Sequence, residues 1–381
     1  MLRRAGLVAT GGPAVIDLSK HEPVPDDVAP APRPRLPIGM RFGGVVSVVW
    51  RPRPVIVTVI AAVGAFVFFC MSIRMGDLPL SFTQVVETLI GQGDALSTFI
   101  VNDLRLPRAL MAVIVGAGLA MSGAIVQSIS HNPLASPDIL GISAGAGVTA
   151  VFLLTTGGAA TGVVRYGMPG IALAGALITG VLVYVLAARG GMNGMRLILI
   201  GVAVNALMHA LITWMMVRAD IDQVGQAQTW LVGSLDARTW DQVIGTGVLT
   251  AIAAVVAIVA AFALRAVQLG DDVAQGLGIG LGRTRAVLLI AAVVLAAAAV
   301  SGAGPIAFVA FVSPQVTMRL TGLSSPPLIP SAAVGACLLA GADLVARTLL
   351  PVTLPVGIVT AAVGGPFLVY LLIRQNVRSS R

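Results

Sequence analysis

The sequence predicts an all-α, polytopic integral membrane protein of about ten transmembrane helices, and three observations predict it. Of its 381 residues, 57% are hydrophobic and only 10% charged, against about a quarter charged in a soluble domain. The mean hydropathy is +0.96. Charge-free stretches recur at the length of a bilayer crossing, roughly 20 helical residues.

Those stretches cover residues 54–73, 109–137, 139–164, 166–188, 197–217, 242–264, 286–318, 320–342 and 348–373. The run 286–318 is too long for one crossing. It contains Ser301-Gly302-Ala303-Gly304-Pro305, a turn signal that splits it in two. An even number of crossings puts both termini on one side. Seventeen of the 24 Lys and Arg fall on that side and seven on the other, which assigns the termini to the cytoplasm. Gly and Ala are abundant, as close helix packing in lipid requires.

Residues 1–50 differ from the rest. Their Pro23-Val24-Pro25 and Pro30-Ala31-Pro32-Arg33-Pro34 patches predict a cytoplasmic, largely disordered tail, with Val45–Trp50 on the membrane surface. Residues 51–381 form the transmembrane domain. The first arginines are not followed by the short apolar core and small-residue site of a secretory signal.

Composition also excludes functions. Lys20 is the only lysine and stands outside any glycine-rich turn, so the chain lacks a Walker A loop. Its basic residues are arginines near membrane edges, a pattern that does not point to nucleic acid. Cys70 and Cys337 lie in apolar runs and read as buried small hydrophobes. His21, His131 and His209 have no metal-ligand spacing. No cofactor or metal is expected.

The second apolar stretch is bracketed by polar signals. Arg105-Leu106-Pro107-Arg108 precedes it and Asn132-Pro133-Leu134-Ala135-Ser136-Pro137-Asp138 follows. The prolines stop the helix, and the third helix is expected to start near Asp138, an acid suited to a helix N-terminus. Further segments are GAGLAMSGA at 116–124, LGISAGAG at 140–147, RLILIGVAVNAL at 196–207, WLVGS at 230–234 and LGDDVAQGLGI at 269–279. GPIAFVAFVSPQ at 304–315, ADLVAR at 342–347 and LPVGIVTAAVGGPFLVYLL at 354–372 complete the set. Taken in order, these resemble the FecCD/BtuC family, permease subunits of type II ABC importers for ferric siderophores, heme and vitamin B12. Gln315 stands where the family usually has His. Gln there, with the NPLASPD loop, is similar to one partner of the heterodimeric ferric-enterobactin permeases.

The resemblance implies a BtuC-like permease and a set of roles. Arg105, Arg108 and Arg347 would dock acidic residues of an extracytoplasmic siderophore-binding protein; otherwise they snorkel to headgroups, or Arg347 pairs with Asp343 one turn away. Asn132, Leu134, Gly194 and Met195 would form the cytoplasmic gate, or an ordinary tight turn. Asp271, Asp272, Val273, Ala274, Gln275, Gly276, Leu277, Gly278 and Ile279 would form the coupling helix that engages an ATPase, or a solvated loop. The implied partners are a second FecCD-type permease subunit, two ABC ATPase subunits, the binding protein and membrane lipid. The chain itself is not an enzyme. The cargo read from the resemblance is a ferric siderophore. The alternatives are vitamin B12 or heme and, in another class, a proton-coupled secondary transporter using the intramembrane Asp343. Met208, His209 and Thr213 mix polarity into the fifth crossing, which in the family lines the central path.

Overall fold

A computed structural model describes residues 39–42, 46–49, 52–76, 78, 80–156, 163–189, 194–348 and 354–379. The chain divides into two units, Met1–Arg51 and Pro52–Arg381. In the first, β1 (Gly39–Phe42) pairs antiparallel with β2 (Val46–Val49). The surface segment read at Val45–Trp50 falls mainly on β2. The proline patches lie outside the described residues.

The second unit is helical. Its elements are α1 (Pro52–Arg74), α2 (Phe82–Leu89), α3 (Ala95–Thr98), a π-helical segment (Phe99–Arg105), α4 (Leu106–Ser130), α5 (Ile142–Thr155) and α6 (Val163–Ala188). Then follow α7 (Gly194–Val217), α8 (Ile221–Val232), α9 (Trp240–Val259), α10 (Ala261–Gln268), α11 (Asp271–Gly276) and α12 (Leu281–Ala303). The last are α13 (Val309–Thr321), α14 (Leu328–Thr348) and α15 (Val356–Ser379). Among the described residues, eight helices are long and apolar enough to cross a membrane. Helix α5 is apolar but shorter, at 14 residues.

Local chemistry sets the boundaries. Pro52 and Pro54 stand in the first turn of α1, where an absent N–H costs nothing. Ser81 and Gln84 form a capping box at α2, and Asp220 with Gln223 forms another at α8. The turn expected at Ser301–Pro305 is present: α12 ends at Ala303, and Gly304 takes a φ of 74°. Phe308 then starts α13 at a φ of 67°, a left-handed conformation that is costly without glycine.

Packing follows an inside-out plan. Helix α4 contacts α14, α12, α13 and α9 and forms the hub. The most apolar stretches of α4 and α12 are 78% buried, whereas those of α1 and α7 are only 22% buried. The hub is built from small residues, with Ala296, Ala297, Ala298 and Ala299 of α12 fully enclosed. Phe66 on α1, Leu199 and Trp214 on α7, and Ile252 on α9 project outward and exposed. Apolar side chains so exposed suit lipid or another apolar chain as surroundings, not water.

Two expectations are corrected. The third helix does not begin near Asp138: residues 136–141 form consecutive turns, Gly141 takes a φ of 75°, and α5 starts at Ile142. Cys70 is exposed and Cys337 half-buried, both as free thiols. An apolar run does not reveal which of its faces turns to lipid.

Candidate functional sites at the two ends of the bundle

About nineteen residues separate Arg108 from Gln127 along α4, or roughly 28 Å of helix. Each end of this hub carries a polar cluster. At the first, Arg108 Nε donates to both carboxylate oxygens of Asp343, at 3.1 and 3.2 Å. Its Nη2 reaches Asp343 Oδ1 at 2.9 Å. Its remaining arm, Nη1, meets Asp236 at 2.8 Å. Asp343 is fully buried, whereas the Asp236 side chain is 78% exposed. Arg347 approaches Asp343 from one turn away, at 3.6 Å. Its Nη2 also donates to the Ser72 carbonyl and hydroxyl, at 2.8 and 2.6 Å. Arg347 and Asp343 therefore pair, as their spacing allowed.

Arg105 does different work. It is buried, and its Nη1 donates to the carbonyls of Ile73 and Arg74 at 2.8 and 3.0 Å, while Nη2 takes that of Leu78. A guanidinium thus satisfies the open carbonyls at the end of α1 and its dipole. Arg108 and Arg347 thus share Asp343 while Arg105 holds the end of α1, and Arg108 also turns an arm toward the exposed Asp236.

At the second end, α4 stops at His131, whose φ is 50°. Asn132 Oδ1 accepts from Leu134 N–H at 2.9 Å, closing a tight turn. Leu134 packs against Phe311, Val312 and Leu371. Gly194 opens α7 against this turn; a Cβ there would sit 2.7 Å from the Ser130 carbonyl oxygen. Met195 beside it is 63% exposed. The structure thus brings Gly194 to the end of α4, beside Asn132, and holds Leu134 in a packed contact.

Two glutamines lock this end. Gln315 Nε2 donates to Gln127 Oε1 at 2.7 Å and to the Pro133 carbonyl at 3.1 Å. Gln127 Nε2 donates to the Phe311 carbonyl at 3.2 Å. Both side chains are buried. Replacing Gln315 with leucine strands these groups, and stranding costs about 1–3 kcal/mol. The expected result is a lower thermal midpoint in detergent and faster proteolysis of the 131–137 turn.

Asp138 is held by the Ser143 hydroxyl, which donates to its carboxylate. Burial raises the Asp138 pKa above its ordinary value, and the Ser143 bond opposes this only in part. An acid with a raised folded pKa binds more protons folded than unfolded, so stability falls as pH rises from the ordinary carboxylate value through the folded one. Asp138→Asn is therefore expected to melt above the parent at pH 7, with the gap closing towards pH 4 in a pH series of melts.

Helix α11 lies at the same end. It spans Asp271–Gly276, shorter than the 271–279 stretch read from sequence; Leu277 and Gly278 follow as a turn, and Ile279 lies beyond it. Ala274 is fully buried, while Val273 and Leu277 are 49% and 59% exposed. The neighbouring α10 is tied to α4: His131 Nε2 lies 3.2 Å from the Val267 carbonyl, and Gln268 Nε2 donates to Ser128 Oγ at 2.9 Å. These bonds fix α10, the helix just before α11, to the end of α4.

Sequence reading missed Asp236, Ser72 and Gln127. Their partners lie 128, 275 and 188 residues away, and no local pattern announces such pairs. Among the described residues, no group of three His, Cys, Asp or Glu is placed to hold a metal.

The helices and their apolar, outward-facing surfaces define a multi-pass helical membrane protein. The FecCD transport family model matches residues 64–374, and the chain belongs to that family. It is 37% identical over 330 residues to the iron(3+)-hydroxamate import system permease protein FhuG of Bacillus subtilis (strain 168), covering 85% of this chain and 98% of the relative. It is also 37% identical over 310 residues to the ferric enterobactin transport system permease protein FepG of Escherichia coli (strain K12), covering 80% and 91%. A solved metal-chelate type ABC transporter in an inward-facing conformation superimposes with a TM-score of 0.73 at 26% identity, covering 84% of this chain and 99% of that one.

Proposed function

We propose that this chain is the permease subunit of an ATP-binding-cassette importer that carries a ferric siderophore into the cytoplasm. The family membership and the iron-chelate cargo in the relatives' names support the class. The observation that carries the mechanism is α11 and the turn that ends it, which expose Val273 and Leu277 at the end where the Asn132 turn lies. An exposed apolar pair on so short a helix and its C-terminal turn suits insertion into a groove of an ATPase subunit. Closure of two such subunits would pull α11, shift α10 and open the gate of Asn132, Leu134, Gly194 and Met195. Alternating access then follows from differential binding to two states. Hydrolysis belongs to the ATPases.

The opposite end would receive the loaded binding protein. Arg108 is the docking candidate, because one arm already meets an exposed carboxylate and guanidinium suits carboxylate geometry. Arg105 and Arg347 position α1 against the hub. A second FecCD-type subunit, favoured as a heterodimer partner, would cover the exposed faces of the permease. Both termini would lie in the cytoplasm. Asp343, held by two arginines, is a structural ion pair in this reading and not a proton carrier.

The test is uptake of radio-iron, as a ferric siderophore, into proteoliposomes holding the co-purified complex with its binding protein. Uptake should need ATP and the binding protein. Val273→Asp/Leu277→Asp should abolish it, and Arg108→Glu should weaken it without loss of assembly. Uptake of heme or vitamin B12 instead would move the cargo; uptake driven by a pH gradient without ATP would overturn the class.

A further inference from the structure

A cleft of about 660 Å³ opens at the α11 end of the bundle, between the ends of α13 and α15. Pro133, Gln315, Met318, Arg319, Leu371 and Arg374 line it. Its cations are held in place. Arg319 lies 5.5 Å over the Phe367 ring and 5.2 Å over that of Tyr370, and Arg374 Nη1 donates to the Tyr370 hydroxyl at 2.9 Å. A third guanidinium closes the rim: Arg53 Nη1 comes within 3.5 Å of where a Cβ on the lining residue Gly322 would stand.

None of the three arginines forms an ion pair with a carboxylate of the described residues. This contrasts with the other end, where Arg108 and Arg347 share Asp343. Like charges brought into one cleft repel each other, and a shared anion relieves that repulsion. Guanidinium matches phosphate oxygens with paired donors.

We propose that this cleft binds the phosphate headgroup of an anionic phospholipid. The lining chooses lipid over free phosphate. Met318 and Leu371 give the cleft an apolar wall, and Leu320, Leu372 and Ile373 on the same two helices are exposed beside it. A headgroup among the arginines would leave acyl chains against those side chains. Basic pockets between transmembrane helices recognise anionic headgroups by this combination. The cleft borders the turn assigned to the gate through Pro133 and Gln315, but headgroup binding does not depend on the cargo or on the gate assignment.

The test is native mass spectrometry of the full chain purified in detergent. It is titrated with dioleoylphosphatidylglycerol, with dioleoylphosphatidylethanolamine and with inorganic phosphate. The chain should retain one phosphatidylglycerol in preference to phosphatidylethanolamine. Arg319→Gln/Arg374→Gln should weaken that retention on the order of tenfold or more, Arg319→Lys/Arg374→Lys should keep most of it, and Arg218→Gln should leave it unchanged. Melting curves establish that each variant is folded. Equal retention of both lipids, or unchanged retention in the glutamine pair while folded, overturns the proposal. Competition by millimolar phosphate as effective as that by the lipid would make the cleft a soluble-anion site and also overturn it.

Discussion

Asp343→Asn is expected to cost about 3–5 kcal/mol, the penalty for removing one partner of a buried ion pair. The carboxylate is fully enclosed and serves two guanidiniums. Without its charge, Arg108 keeps the exposed Asp236 and Arg347 keeps its Ser72 contacts, so two largely enclosed guanidiniums lose the carboxylate they shared. The lost attraction joined α4 to α14, whereas the tie from α14 to α1 through Arg347 and Ser72 stays. The purified variant should melt well below the parent in detergent and extract in lower yield. The double variant Asp343→Asn/Arg108→Gln is the control, because it removes one cation together with the anion. It should recover part of the loss, as coupled residues do in a double-mutant cycle. Additive losses would show that the pair does not act as a unit.

How far this site was legible follows from sequence distance. Asp343 and Arg347 are four apart, and their pairing was readable as neighbours on one helix face. Arg108 and Asp343 are 235 residues apart, and nothing in the R-L-P-R run shows that its second arginine turns inward. Arg105 and Arg108 look alike in sequence; the π-helical segment Phe99–Arg105 lies directly ahead of α4, and one arginine caps α1 while the other crosses to α14. The turn at Ser301–Pro305 was readable because glycine and proline act locally. The start of α5 was not, because Asp138 is a good helix-opening acid whose side chain instead reaches forward to Ser143. The apolar runs revealed where helices cross but not which are central, since α1 and α12 are similarly apolar and differ in burial.

The second large effect is expected at the hub's glycines. A Cβ on Gly123 would lie 1.7 Å from the Ala310 carbonyl oxygen and 2.7 Å from its carbonyl carbon. Gly116 and Gly335 oppose each other, with built Cβ atoms 2.4 and 2.3 Å from the other's carbonyl oxygen. These obstacles are backbone, so no side chain can swing aside, and α4 is hemmed in by α9, α12, α13 and α14. Overpacking of a full core costs about 1–3 kcal/mol and occasionally more; backbone clashes on an enclosed helix put Gly123→Ala at the upper end. The bilayer offers little compensation. Lipid tails are as apolar as the helix faces, so association rests on the close contact that small residues permit. Once α4 and α13 are pried apart, no hydrophobic force restores them. Gly245→Ala on α9 is the matched control: nothing lies within 4 Å of its built Cβ, and alanine favours an exposed helix by up to about 1 kcal/mol. Thermal melts of the two variants should therefore move in opposite directions from the parent. A Gly123→Ala protein that melts with the parent would mean that α4 and α13 do not cross at this contact.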